Sequence, residues 1–148
     1  MEPKEHIRKN LKDCKFMQLA TAEDNQPWVC TVHYIVDDQM NVYWLSFPSR
    51  RHSQEIAKNQ KVAIAVAVKF DQPVIGIQAE GRAEVVSEPS EIKKIIGLYV
   101  TKFGIGKKFY DNFVAGKNEH SMYRLAPTKF VLFDEGNFPG KSPLEWRP

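Results

Sequence analysis

Three potential cations, Arg50, Arg51 and His52, stand side by side after the turn "SFPS" (46–49), where a helix is expected over 50–59. A helix start already carries partial positive charge from its aligned peptide dipoles, so cations there are unfavourable. The same position presents first-turn N–H groups that have no acceptor within the helix, and those groups bind anions. An arginine can grip a phosphate through two parallel hydrogen bonds, and a histidine adds one donor. Ser46 and Ser49 supply hydroxyls, with Ser49 placed to cap the helix. A bound phosphate dianion would offset the cost of gathering cations there. A solvated basic turn is the other reading, and the segment by itself leaves both open.

No competing chemistry stands out elsewhere. Asp37 and Asp38 read as turn residues rather than a catalytic pair, and no Ser-His-Asp order or zinc-ligand spacing is present. His33 lies in an expected strand and reads as a hydrogen-bonded structural histidine, while His120 lies in an expected surface loop. Cys30 reads as a small buried hydrophobe. "GIG" (104–106) follows no strand and is too short for a dinucleotide fingerprint.

The elements around the cationic turn are mostly strands. An amphipathic helix is expected over 3–14, with Ile7, Leu11 and Cys14 on one face, followed by a strand over 16–22 and a turn over 22–27. "WVCTVHYIV" (28–36) reads as one strand, "DDQMN" as its hairpin turn and 42–45 as the partner strand. "KVAIAVAV" (61–68) alternates large and small residues, which predicts a strand whose small face admits close approach. A long strand over 74–86 contains Gly76 and Gly81, which mark a bulge, a bend or a close backbone approach. Ser90 is expected to cap a helix whose stripe is Ile92, Ile95, Ile96 and Tyr99. A shorter helix and a loop follow, then strands over 122–125 and 129–134 and a turn-rich tail. Six or seven strands joined by tight turns, with few helices between them, predict an antiparallel barrel with helices outside it.

Composition narrows the class. A chain of 148 residues with 43% hydrophobic and 26% charged residues is expected to form a single domain, 1–148, with a core of its own. The net charge of +3 is too small for a nucleic-acid binder, and the pairs Lys93-Lys94 and Lys107-Lys108 read as solvated surface. The charged N-terminal segment lacks the apolar stretch of a signal peptide, and no apolar run is long enough to span a membrane. Two cysteines without paired spacing fit a reducing cytoplasm.

The order "WVCTVHYIVDD", "VYWLS", "SRRH", "EIAKN", "KVAIAVAV" and "IQAEGRAEVV", with the tail "YRLAPTKFVLFDEGNFPGKSPLEW", resembles the pyridoxamine 5′-phosphate oxidase-like family of FMN-binding split barrels over nearly the whole chain. The resemblance implies a mainly β fold, a six- to seven-stranded antiparallel split barrel with peripheral helices. It implies FMN as cofactor, with Arg51 and His52 on the phosphate and Ser46 on the phosphate and ribityl side. The backbone of Val29, Cys30, Thr31 and Val32 would run along the isoalloxazine edge, and Ser49 and Arg50 share the phosphate turn. A homodimer with flavin between the subunits is also implied, as is a small flavin-dependent oxidoreductase of unspecified substrate. Trp28, Trp44 and Phe47 are candidates for the dimer surface or the flavin wall, with barrel core equally open for the two tryptophans.

Two departures argue against oxidation of vitamin B6 phosphates. Gly76 stands where those oxidases carry a glutamine, with Gln78 two positions on, and Trp146 and Arg147 do not align with their C-terminal pattern. A deazaflavin F420 reductase of the same fold is an alternative, although the basic groove its long tail would need is not evident. A non-catalytic flavin or haem carrier is another, with His33 or His120 as the axial ligand haem requires.

Overall fold

The computed structural model describes residues 1–148. Its elements run α1 (Pro3–Asp13), β1 (Phe16–Glu23), β2 (Gln26–His33), β3 (Ile35–Val36), β4 (Val42–Ser46), α2 (Arg51–Lys58), β5 (Lys61–Lys69), β6 (Ile75–Val85), α3 (Pro89–Phe103), α4 (Lys107–Val114), β7 (Ser121–Asp134) and β8 (Leu144–Trp146). Every strand pairing is antiparallel. The sheet order is β2-β1-β5-β6-β7-β4-β3, with β8 joined to β7. The two ends of that order, β2 and β3, are separated in the chain by Tyr34 alone. One residue cannot bridge opposite edges of a flat seven-strand sheet, so the sheet curls until its edges approach. The result is the split barrel expected from the sequence, with β8 as an additional short strand.

Tyr34 makes the switch. Its side chain is fully buried, its N–H donates to Lys15 O at 3.2 Å and its hydroxyl donates to Leu11 O at 2.7 Å. The expected single strand over 28–36 is therefore two strands. β2 pairs with β1, and only Ile35 and Val36 form the hairpin with β4. Uninterrupted β propensity across "WVCTVHYIV" conceals the break, because tertiary hydrogen bonds impose it. The turn before β2 is also tighter than expected. Glu23 pairs with Gln26, and Asp24 and Asn25 take φ values of 50° and 63°, the left-handed pair of a two-residue hairpin loop. Pro27 falls on an edge strand, where its missing N–H costs no ladder bond.

Inward side chains of the curled sheet form one core. Met17, Leu19, Val62, Ile64, Val66, Ile77, Leu125 and Leu132 alternate with outward residues, and Ile7 and Leu11 of α1 plug one end. A second core lies outside the barrel wall, where Ile95, Ile96 and Phe113 of α3 and α4 cover Ile35, Tyr43 and Met122. Ser90 does not cap α3. Glu88 is the capping residue, and its carboxylate accepts the Ser90 N–H at 3.0 Å. The expected strands over 122–125 and 129–134 are one bent strand, β7. Its register against β6 shifts beside Gly81, where an added Cβ would lie 2.2 Å from the Ala126 carbonyl oxygen. Gly81 is thus the close approach the sequence anticipates, whereas a Cβ on Gly76 would meet only the Val66 oxygen, at an ordinary 3.9 Å.

Candidate functional site

The cationic turn closes over the end of the barrel beside β2. The helix cap is Arg50, one residue later than the expected Ser49, and no side chain caps the helix. The first helical N–H to find a backbone acceptor belongs to Gln54, 3.0 Å from Arg50 O, so those of Arg51, His52 and Ser53 have none. The three cations are not equivalent. Arg51 is exposed but fixed. Its guanidinium lies 4.0 Å from the centre of the Trp28 ring, and its Nε donates to Glu55 Oε2 at 2.8 Å, leaving both Nη groups without a protein acceptor. Glu55 is buried and also accepts from Thr21 Oγ1 at 2.8 Å. Hydrogen bonds from Arg51 and Thr21 hold its carboxyl below the usual range.

Arg50 is exposed, makes no ion pair and lies 5.3 Å from the centre of the Phe47 ring, which stacks on His120 at 4.1 Å. His52 is only 8% exposed, and its Nε2 sits 2.7 Å from Ser46 Oγ, itself buried. Burial, then the Arg50 charge, lowers the affinity of the ring for a proton. A neutral His52 therefore orients the Ser46 hydroxyl, and the exposed charge belongs to the two arginines.

A cleft of about 330 Å³ opens on the outer wall of the barrel. Its floor consists of the small residues Ala20 of β1 and Ala63 and Ala65 of β5, as the alternation in "KVAIAVAV" anticipates. Gln78 and Lys129 rim it, and Val29 enters from β2. Along β2 the side chains alternate. Val29, Thr31 and His33 are exposed, while Cys30 and Val32 pack against the core. Trp28 and Val29 are consecutive, so the arginine platform and the cleft lie on opposite faces of one strand. β2 pairs only with β1 and has a free backbone edge between those faces. A ligand that joins the arginines to the cleft must cross that edge.

Other candidates fall elsewhere. Trp44 is fully buried inside the barrel and stacks on Tyr123. Trp146 stacks on Phe130, and Arg147 sits beside Glu145 at the C-terminus. His33 packs between Phe16 and Phe103, with ring centres at 4.4 and 4.6 Å. His120 is half-buried rather than a free surface residue, and its Nδ1 lies 2.8 Å from Asn118 Oδ1. Cys30 is half-buried, and burial pushes its thiol up, consistent with an inert side chain. Sequence reasoning missed Glu55 and Thr21. The i,i+4 spacing of Arg51 and Glu55 could have revealed the first. No local signal marks Thr21, which is 34 residues away.

Comparison with known proteins assigns the chain. The model of the family described as pyridoxamine 5′-phosphate oxidase matches residues 3–132. The chain belongs to the pyridoxamine 5′-phosphate oxidase family. None of the curated proteins matches this sequence. Solved structures share the fold. A conserved hypothetical protein of Mycobacterium tuberculosis superposes with a TM-score of 0.77 at 18% identity, over 93% of this chain and 88% of that one. An FAD-binding protein of Mesorhizobium loti gives 0.62 at 18% identity, over 87% and 90%. A haem storage protein of Vibrio cholerae gives 0.64 at 19% identity, over 86% and 91%. At these identities the solved structures share the fold with this chain.

Proposed function

We propose that the protein binds FMN in a homodimer and acts as a small flavin-dependent oxidoreductase. The uncapped start of α2 carries this reading: three unpaired N–H groups lie beside two arginines with free guanidinium donors. That donor set suits a phosphate dianion. Arg50 and Arg51 hold the phosphate, Ser46 donates from the strand end, and His52 keeps that hydroxyl oriented. Ser49 lies in the same exposed turn. Backbone groups of Val29, Cys30, Thr31 and Val32 at the β2 edge would hold the ribityl side of the flavin, and the alanine floor would hold its ring. Bound FMN supplies the two-electron transfer, and the chain supplies the phosphate grip, ring orientation and exclusion of water.

The outer wall supports the dimer. Phe16 and Val29 are 53% and 58% exposed, and a second subunit would cover them and the cleft. The family membership and the FAD-binding relative support a flavin, and the +3 charge is too slight for a nucleic-acid partner. No helix is long and apolar enough to cross a membrane. The absorption spectrum of the purified protein tests the reading. A flavin spectrum, with FMN released on denaturation, is expected, and anaerobic bleaching by a reduced nicotinamide marks an oxidoreductase. A colourless protein that takes up no added FMN, or a haem Soret band in its place, overturns it.

A further inference from the structure

A second cavity, of about 320 Å³, lies between α1, the β3–β4 turn and α3, away from α2 and the alanine cleft. Ile35, Val36 and Leu98 give it apolar walls, and Lys12, Lys94 and Lys102 line it too. Lys12 is taken, since its Nζ lies 2.9 Å from the Asp38 carboxylate. Asp37 is saturated by the N–H groups of Gln39 and Asn41, the Asn41 amide and the Tyr43 hydroxyl. The Thr101 hydroxyl donates back to Gly97 O at 2.9 Å. Lys94 and Lys102 make no ion pair.

Lys102 has the more unusual surroundings. It is half-buried, its Nζ lies 4.4 Å from the Tyr34 ring centre and 5.7 Å from that of Phe103, and its one acceptor is Tyr34 O at 3.3 Å. Burial presses its pKa down to about 8, against opposing effects of Cys14 and Asp13 and with the least contribution from the Lys15 charge. At neutral pH on the order of a tenth of such amines are unprotonated, far more than for an ordinary lysine. The molecule therefore holds a half-buried amine without a counterion at a cavity that a second unpaired cation, Lys94, also lines.

We propose that Lys102 forms an imine with a small carbonyl compound bearing a carboxylate, and that Lys94 pairs with that carboxylate. Lys102 Nζ attacks the carbonyl carbon and a carbon–nitrogen double bond replaces the carbon–oxygen one. The oxygen leaves as water with the two amine hydrogens, and no electrons change hands. Depressed lysines of this kind serve as Schiff-base nucleophiles. The site is independent of the flavin reading.

Reductive trapping tests it on the full chain. Protein is treated at neutral pH with limiting glyoxylate and cyanoborohydride, and the adducts are mapped by peptide mass. Lys102 is expected to label about tenfold faster than the exposed Lys107, with a rate that climbs towards a midpoint near pH 8. K102R removes the fast adduct, while K94A slows labelling by glyoxylate and leaves labelling by acetaldehyde unchanged. Labelling spread evenly over the lysines overturns the proposal, as does a midpoint at the ordinary 10.5 or a fast adduct that survives K102R. If K94A treats both aldehydes alike, the carboxylate assignment falls.

Discussion

Glu55 directs Arg51. Its carboxylate fixes Arg51 Nε and turns both Nη groups outward over Trp28. Because its carboxyl is held below the ordinary 4.5, the ionised form stabilises the native state. That contribution is present above pH 4.5 and is lost as pH falls through the lower native value. Melting temperature should therefore fall more steeply below pH 4.5 in the wild-type protein than in Glu55→Gln. Parallel acid limbs would show that the pairing with Arg51 adds nothing. The cluster of cations was legible from residue types alone, but the division of labour within it was not. The helix cap falls on Arg50 rather than Ser49, which buries His52 and leaves Arg50 and Arg51 outside. A shift of one residue at a helix start decides which neighbours face the core, and no local pattern sets it to that precision.

Two glycines separate close packing from mere flexibility among the elements. Gly81→Ala drives a methyl group into the β7 backbone at the register shift, and backbone cannot yield as a side chain does. A loss of about 3 kcal/mol in urea unfolding is expected. Gly97→Ala, inside α3 with nothing within 4 Å of the new Cβ, should instead stabilise by about 0.5–1 kcal/mol. A neutral outcome at Gly81 would contradict the close approach. Strand identities were readable because inward and outward residues alternate, as in "KVAIAVAV". Strand partners were less so. β2 pairs backwards with β1 because Tyr34, held by Lys15 and Leu11, ends the strand. Contacts 19 and 23 residues away in sequence leave no periodic trace.

At the scale of the whole molecule, the proposed flavin site joins the arginine turn and the alanine cleft over the free edge of β2. The outer wall with its alanine floor also suits a second copy of the chain. In solution the protein is expected at twice the 17.0 kDa chain mass, and Ala65→Lys, which places a charge on that wall, should shift it to monomer and weaken FMN uptake. Light scattering reads the first effect, and a monomeric wild-type protein would remove the shared site. The phosphate site itself is tested most directly by comparing FMN with riboflavin, which lacks only the phosphate. Two charge-assisted grips predict that the wild-type protein prefers FMN by about a hundredfold. Arg50→Ala together with Arg51→Ala should cut that preference at least tenfold and leave riboflavin affinity unchanged. Equal affinity for the two flavins in the wild-type protein, or a preference undiminished by the double substitution, would contradict the account.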